Sequence, residues 1–127
     1  MSIKRSIFKG IAILFSVSFI TLIVLILRPI TTLYIDDCIE VTGTVNYIKA
    51  YDKSKDIHIR IGDGGRYYIN QGLERGLTEI DLISTIMSKE VTIHYADHWT
   101  PLDPKRIGRH VARVTYGEEV LYDEIKE

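Results

Sequence analysis

The sequence has one cysteine, three prolines and no large excess of either charge in its 127 residues. A lone cysteine excludes a framework of internal disulfides. A net charge of -1 argues against a basic nucleic-acid-binding protein, and a hydrophobic fraction of 46% is too high for a disordered chain. The length allows one domain and leaves little room for a second.

Two further absences divide the chain into unlike parts. Residues 1–28 contain no Asp or Glu and carry four of the Lys and Arg residues. Residues 29–127 contain no Phe, hold the other 12 Lys and Arg, and hold all 17 Asp and Glu. The first part is therefore basic, whereas the second has a net charge of about -5, with Tyr and Trp as its aromatic residues.

A long uncharged run is the strongest feature of the first part. Residues 10–27 contain no charge, and a helix of that length spans about 27 Å, close to the hydrocarbon thickness of a bilayer. We therefore predict a transmembrane helix over 10–28, surrounded by membrane lipid. Residues 1–9 then form the N-terminus, 29–39 a connector and 40–127 a separate domain.

The charges around this run predict its orientation. Lys4, Arg5 and Lys9 precede it, which places the N-terminus in the cytoplasm and the domain outside, in the periplasm or the extracellular space. A cleaved signal peptide is the alternative, but its apolar core is about 7–15 residues long and ends in small residues. The sequence favours an uncleaved, single-pass anchor in the cytoplasmic (inner) membrane.

The second part alternates between strand patterns and turns. Strand patterns occupy six segments, the last of them short: 40–51, 56–61, 66–70, 90–95, 110–116 and 120–122. The glycine-rich residues 62–65 predict a tight hairpin turn between the second and third strands. In the first strand, the expected inward face is Val41, Val45, Tyr47 and Tyr51, with a bulge or bend at Gly43.

The period changes to that of a helix over residues 78–88. Ile80, Ile83 and Met87 recur at helical spacing, and Leu82 and Ile86 widen the apolar stripe. Thr78 precedes the stripe and has an acidic residue three positions later, which predicts an N-cap. We expect one helix of about three turns between the third and fourth strands.

The resulting order is three strands, a helix and two strands, followed by a short sixth strand. This is the order of the OB-fold, a small barrel. With residues 66–70 and 95–101, the order resembles small membrane-anchored OB-fold-like proteins of the bacterial envelope, of unassigned function. The resemblance implies a mainly β domain with one helix and an OB-fold-like barrel of five to six strands. It carries over no active site, because these proteins share no catalytic signature. An SH3-like barrel is the alternative.

The loop over residues 97–106 is the first candidate site. It holds Trp99 and His98, and its two prolines stiffen it. In an OB-fold this loop borders the ligand face, where Trp99 and His98 would suit a stacking contact with a sugar or a peptide side chain. The alternative is that Trp99 folds back and covers the open end of the barrel.

The second candidate site is the polar face of the second and third strands. Alternation places His58 and Arg60 on one face of the second strand and Tyr68 and Asn70 on one face of the third. If these faces align, the four side chains form an outward patch where OB-folds commonly bind. An ordinary solvated exterior is the alternative.

The sequence offers little support for metal binding, catalysis or nucleic-acid binding. His94, His98 and Asp97 are weak candidates for metal ligands, because the general-base Glu of a metalloprotease motif is missing and no cysteine cluster completes a site. No nucleophile motif or phosphate-binding loop is present. We expect no cofactor and no nucleic-acid partner, since the carboxylates would repel phosphates.

The sequence therefore predicts a non-catalytic binding module that is tethered to the cytoplasmic membrane and docks an envelope protein. Two alternatives are a cell-wall saccharide as the ligand and a small metal-dependent envelope enzyme that uses His94, His98 and Asp97. The oligomeric state, and pairing of Cys38 with another chain, are left open.

Overall fold

The structure is a computed structural model that describes residues 2–28 and 33–126. These residues form two compact units. The first unit holds the N-terminal helix and the segment Trp99–Pro104, and the second holds a β-sheet with a shorter helix.

The N-terminal helix, α1, runs over Ser2–Leu27 and so begins eight residues before the predicted transmembrane start. Ile3–Leu27 is long and apolar enough to cross a membrane, as an anchor or as a signal sequence. The hydroxyl groups of Ser16 and Thr21 each donate to a backbone carbonyl four residues earlier, at 2.9 Å. These bonds satisfy polar groups in an apolar segment. Residues 29–32 of the predicted connector lie outside the described residues.

The second unit contains seven strands in the described part of the chain, whereas the sequence predicted five to six. The strands are β1 Cys38–Thr44, β2 Tyr47–Ala50, β3 Ile57–Arg60, β4 Arg66–Ile69, β5 Glu90–Ala96, β6 Gly108–Tyr116 and β7 Glu119–Asp123. The short helix α2, Glu79–Ile86, lies between β4 and β5 in the chain. Single 3-10 turns occupy Ile35–Asp37, within the predicted connector, and Gly72–Arg75.

The strands form one mixed sheet in the order β1-β5-β6-β4-β3-β2, and β7 pairs with β6. Five of the ladders are antiparallel, and the β4–β6 ladder is parallel. Within residues 33–126 no ladder joins β1 to β2, so the sheet is not closed into the barrel that the sequence predicted. A mainly β domain preceded by one long helix is confirmed.

The predicted first strand is two strands, and the break shifts the inward face. The backbone N–H of Val45 donates to Lys89 in the connection before β5, whereas that of Asn46 donates to Arg60 of β3, each at 2.9 Å. The chain therefore changes partner strands between these two residues. Val45 and Ile48 are the buried positions, three residues apart. The predicted inward position of Tyr47 is wrong, because the bend advances the alternation by one residue.

The hairpin of β3 and β4 matches the prediction. Ile57, Ile59, Tyr67 and Ile69 are buried in the core, and the polar residues between them lie on the other face. Gly62 and Gly64 adopt positive φ values of 85° and 82° in the turn, a region that glycine enters without steric cost. This turn fixes the register of the pair.

The helix α2 is confirmed, but its predicted inward face is only partly right. Thr78 caps the helix, since its hydroxyl oxygen accepts from the backbone N–H of Asp81 at 3.2 Å. Leu82 and Ile86 are buried, whereas Ile80 is 78% exposed and Ile83 is 39% exposed. Two apolar stripes at helical spacing share these eight residues, and the sheet covers only one of them.

Candidate binding groove and aromatic row

A groove opens where the β3–β4 turn meets the bend after β1. Its volume is about 510 Å³, within the range of small-ligand sites. Three turn glycines (Gly62, Gly64 and Gly65) line it, together with Asn46, Tyr47, Arg60 and Arg66. We call this cavity the arginine groove.

The two arginines reach the groove because they lie at the two sides of the hairpin turn. Arg60 ends β3 and Arg66 begins β4. The register that pairs Ile59 with Tyr67 places them opposite each other. The guanidinium carbon of Arg60 lies 5.0 Å from the centre of the Tyr47 ring, a cation–π distance. Across residues 2–28 and 33–126, neither arginine side chain forms an ion pair.

The turn beneath the groove is held by a distant arginine. Asp63 accepts hydrogen bonds from the backbone N–H of Gly65 at 2.9 Å and from Arg109 at 2.8 Å, and also from the hydroxyl of Tyr67. The Arg109 guanidinium lies 5.1 Å from the Tyr67 ring centre and 4.9 Å from that of Tyr95. A Cβ at Gly65 would lie 2.5 Å from Arg109. The turn is therefore closely packed against β6.

The side chain of Asp63 is an ionised carboxylate in these contacts with Gly65, Tyr67 and Arg109. Partial burial raises its pKa, but hydrogen bonds from Tyr67 and Gly65 and the charge of Arg109 outweigh that effect and leave the pKa below its usual value. The negative charge of Asp63 is thus directed toward Arg109. Arg60 and Arg66 remain the cationic side chains that line the groove.

An aromatic row crosses the sheet beside the groove. The ladders place Lys49, His58, Tyr68 and His110 opposite one another on β2, β3, β4 and β6. The His58 ring centre is 4.7 Å from that of Tyr51 and 6.3 Å from that of Tyr68, and Tyr68 meets His110 edge-on at 5.5 Å. We call Tyr51, His58, Tyr68 and His110 the aromatic row.

His58 is the uncharged centre of this row near neutral pH. Burial lowers its pKa, and the nearby charges of Arg60 and Arg66 lower it further, against an opposing effect of Asp56. The row therefore presents aromatic surface next to the cationic groove. Tyrosine and arginine are enriched in protein–protein contact surfaces.

The row ends at a buried pair. His110, which is 9% exposed, is hydrogen-bonded to Glu124, and Tyr122 donates to the same carboxylate at 2.5 Å. Burial raises the pKa of Glu124, but the hydrogen bonds from His110 and Tyr122 outweigh it, and the pKa lies below its usual value. Arg75 lies 3.6 Å from this carboxylate. Through their contacts with Glu124, these side chains join β6 and β7 to the turn after β4.

We expect acid to destabilise the sheet unit through Glu124. Its folded pKa is below the unfolded value of 4.5, so its stabilising effect is present above pH 4.5 and is lost as the pH falls through the folded pKa. Asp63 and Asp123 shift in the same direction. Urea midpoints between about pH 6 and pH 3 should fall for the wild type.

The matched variants are Glu124→Gln and Glu119→Gln, the latter at an exposed position in β7. In Glu124→Gln the urea midpoint should fall less between about pH 6 and pH 3 than in the wild type. In Glu119→Gln it should fall as much as in the wild type. A wild-type slope retained by Glu124→Gln would contradict the role of this pair.

The structure brings together three of the predicted patch residues. His58, Arg60 and Tyr68 lie on the same face of β3 and β4, as predicted. Asn70 lies beyond the end of β4, in a turn where its carbonyl accepts from Arg75 at 3.0 Å, and it does not line the groove.

The loop candidates lie elsewhere. Trp99 is 40% exposed and lies with α1 in the first unit, whereas His98 is in the second unit. His94 contacts Glu40 at 3.2 Å, and Asp97 forms an ion pair with Arg106. The described residues contain no group of three His, Cys, Asp or Glu side chains that could hold a metal. The structure therefore does not gather His94, His98 and Asp97 into a metal site.

The sequence reasoning missed Asn46, Tyr47, Arg66 and His110. Only Arg66 had a usable signal, because a hairpin with a turn at 62–65 places it opposite Arg60. Asn46 and Tyr47 enter the groove through the bend, and His110 joins the row through the parallel pairing of β4 with β6. Neither feature has a local sequence signal.

No protein-family model matches the chain, and no curated protein or solved structure is significantly similar to it. The structure itself establishes the fold: the chain has a mainly β unit that follows one long apolar helix. Nothing in the motifs or in these comparisons indicates catalytic activity.

Proposed function

We propose that the chain is a non-catalytic binding module tethered to the cytoplasmic membrane, and that it docks an envelope protein through the arginine groove and the aromatic row. The helix α1 serves as a single-pass anchor, with the N-terminus in the cytoplasm and the sheet unit in the periplasm or outside the cell. The length of α1 and its exposed apolar side chains support the anchor, and the basic residues before the span support the orientation.

The sheet unit is proposed to be OB-fold-like. The parallel pairing of β4 with β6, the helix between β4 and β5, and the strand order all suit that topology. β1 and β2 are the two ends of the hydrogen-bonded order, yet only Val45 and Asn46 separate them in the chain. They therefore correspond to one long first strand that bends and serves both ends of the sheet. An SH3-like barrel usually lacks a helix at the position of α2.

The observation that carries the docking proposal is the pair of arginines in the groove. Like charges opposite each other on neighbouring strands are destabilising, and Arg60 and Arg66 have no carboxylate partner within the described residues. An acidic segment of a partner would relieve this repulsion and would form charge-assisted hydrogen bonds with both guanidinium groups. The groove thus offers a local cationic site on a domain of about -5 net charge.

The surface around the arginines has the residue types of a protein interface. The side chains of Tyr47 and Tyr51 are partly exposed, and their hydroxyl groups are 3.4 Å apart. With Tyr68 and His58 they form a mixed aromatic and polar rim, as in protein interfaces.

The test is purification of the full-length protein from its native membrane, followed by mass spectrometry. We expect one envelope protein to co-purify in constant proportion and to carry an acidic segment. Co-purified wall glycan without a protein would favour the saccharide alternative. Recovery of the chain alone under mild detergent conditions would contradict the docking proposal.

A further inference from the structure

We propose that the segment Trp99–Pro104 lies in the interfacial layer of the bilayer that α1 spans, with Trp99 and Leu102 in contact with lipid. This inference rests on the proposed anchor and goes beyond it, because it assigns a second contact with the membrane. The partner of this segment is therefore lipid, at the depth where the headgroups meet the acyl chains.

The segment presents apolar side chains that no core covers. Leu102 is 73% exposed and Trp99 is 40% exposed, and neither belongs to a hydrophobic core cluster of the described residues. An exposed Leu and an exposed Trp in one short segment are suited to a membrane surface, where each can bury its apolar part.

The segment is stiff, so these side chains are held outward. Pro101 and Pro104 each fix one backbone angle. The backbone N–H of Asp103 donates to the carbonyl of Thr100 at 3.1 Å, which closes a tight turn around Leu102. A preformed turn loses little conformational freedom when its apolar side chains enter lipid.

The end of α1 identifies the surface that the segment meets. Arg28 directly follows α1, and its guanidinium donates to the carbonyl oxygen of Trp99 at 2.6 Å. The helix and this segment belong to the same compact unit. A cation directly after an apolar span lies at the membrane boundary, and Trp is enriched at the same depth. Trp99 is therefore placed at the level where the proposed anchor leaves the hydrocarbon.

The chain contains one Trp, so tryptophan emission from the unmodified protein reports on Trp99 alone. The full-length protein is reconstituted in phosphatidylcholine bilayers that carry a spin label either near the headgroup or near the acyl-chain end. We expect the shallow label to quench Trp99 about twofold more strongly than the deep label. Iodide in the buffer should quench it less than it quenches free tryptophan.

The matched reference is the double variant Trp99→Phe with Phe19→Trp, which moves the single Trp into α1. The deep label should quench this reference most strongly. Iodide quenching of Trp99 at the level of free tryptophan, without quenching by either lipid label, would overturn the membrane contact. If the reference were still quenched by the deep label, the anchor would stand and only this inference would fail. If no lipid label quenched the reference, the anchor and the inference would both fail.

Discussion

Replacing both Arg60 and Arg66 by glutamine should lower the amount of co-purified envelope protein by about tenfold or more. Each charge-assisted hydrogen bond contributes about 1.5–3 kcal/mol, and about 1.4 kcal/mol corresponds to a tenfold change in affinity. Even partial loss of two such contacts therefore gives this decrease. The measurement is the ratio of partner to bait by quantitative mass spectrometry after purification from the native membrane.

The matched control is Lys53→Gln with Lys89→Gln, which removes two exposed positive charges outside the groove. The arginine variant should stay folded, because it loses one cation–π contact with Tyr47 and also relieves the repulsion between the two guanidinium groups. An equal decrease for both double variants would mean that overall charge controls binding. No decrease for either would contradict the role of the groove.

Replacing Ile86 by alanine should cost about 3 kcal/mol in the free energy of unfolding. Ile86 is fully buried in the core that α2 forms with the sheet. Ile80 has the same side chain on the same helix but is 78% exposed, so Ile80→Ala should change stability by less than about 0.5 kcal/mol. Urea unfolding of the full-length protein in detergent, followed by near-UV circular dichroism, measures both effects.

This pair of variants also tests which face of α2 is buried. Both substitutions remove the same atoms and place alanine in the same helix, so helix propensity contributes equally to both. Equal losses would contradict the described packing. A larger loss for Ile80→Ala would support the face that the sequence favoured, with Ile80 and Ile83 turned inward.

The elements that could be predicted from the sequence are those set by local patterns. The alternation in β3 and β4 and the glycine turn between them determine which residues face inward, because a two-residue period allows only two faces. The N-cap of α2 was predictable because Thr78 and the acidic first turn are a local signal. The long apolar run likewise indicated α1 without reference to any other segment.

The elements that could not be predicted depend on distant partners. The bend at Val45 and Asn46 exists because Val45 bonds to Lys89, just before β5, whereas Asn46 bonds to Arg60 of β3. The buried face of α2 depends on where the sheet lies, since both apolar stripes satisfy helical spacing. An inspection of local patterns cannot supply either fact.

In the candidate site, too, the residues set by local patterns were predictable and those set by distant partners were not. His58, Arg60 and Tyr68 were predictable as neighbours, because alternation and the hairpin register place them together. The groove itself was not, since the turn that lines it is held by a bond from Arg109 to Asp63, 46 residues apart in the chain. Asn70 was predicted for the patch by extending the alternation past Ile69, and the structure places it in the turn that follows β4.

The central claim is that an envelope protein docks on the arginine groove, and site-directed photo-crosslinking in the native membrane tests it most directly. A photoreactive phenylalanine analogue is placed at Tyr47, in the groove, or at Val120, which is 53% exposed on β7. We predict one protein adduct of constant mass from position 47 and none from position 120. No protein adduct from position 47, or the same adduct from both positions, would contradict the claim.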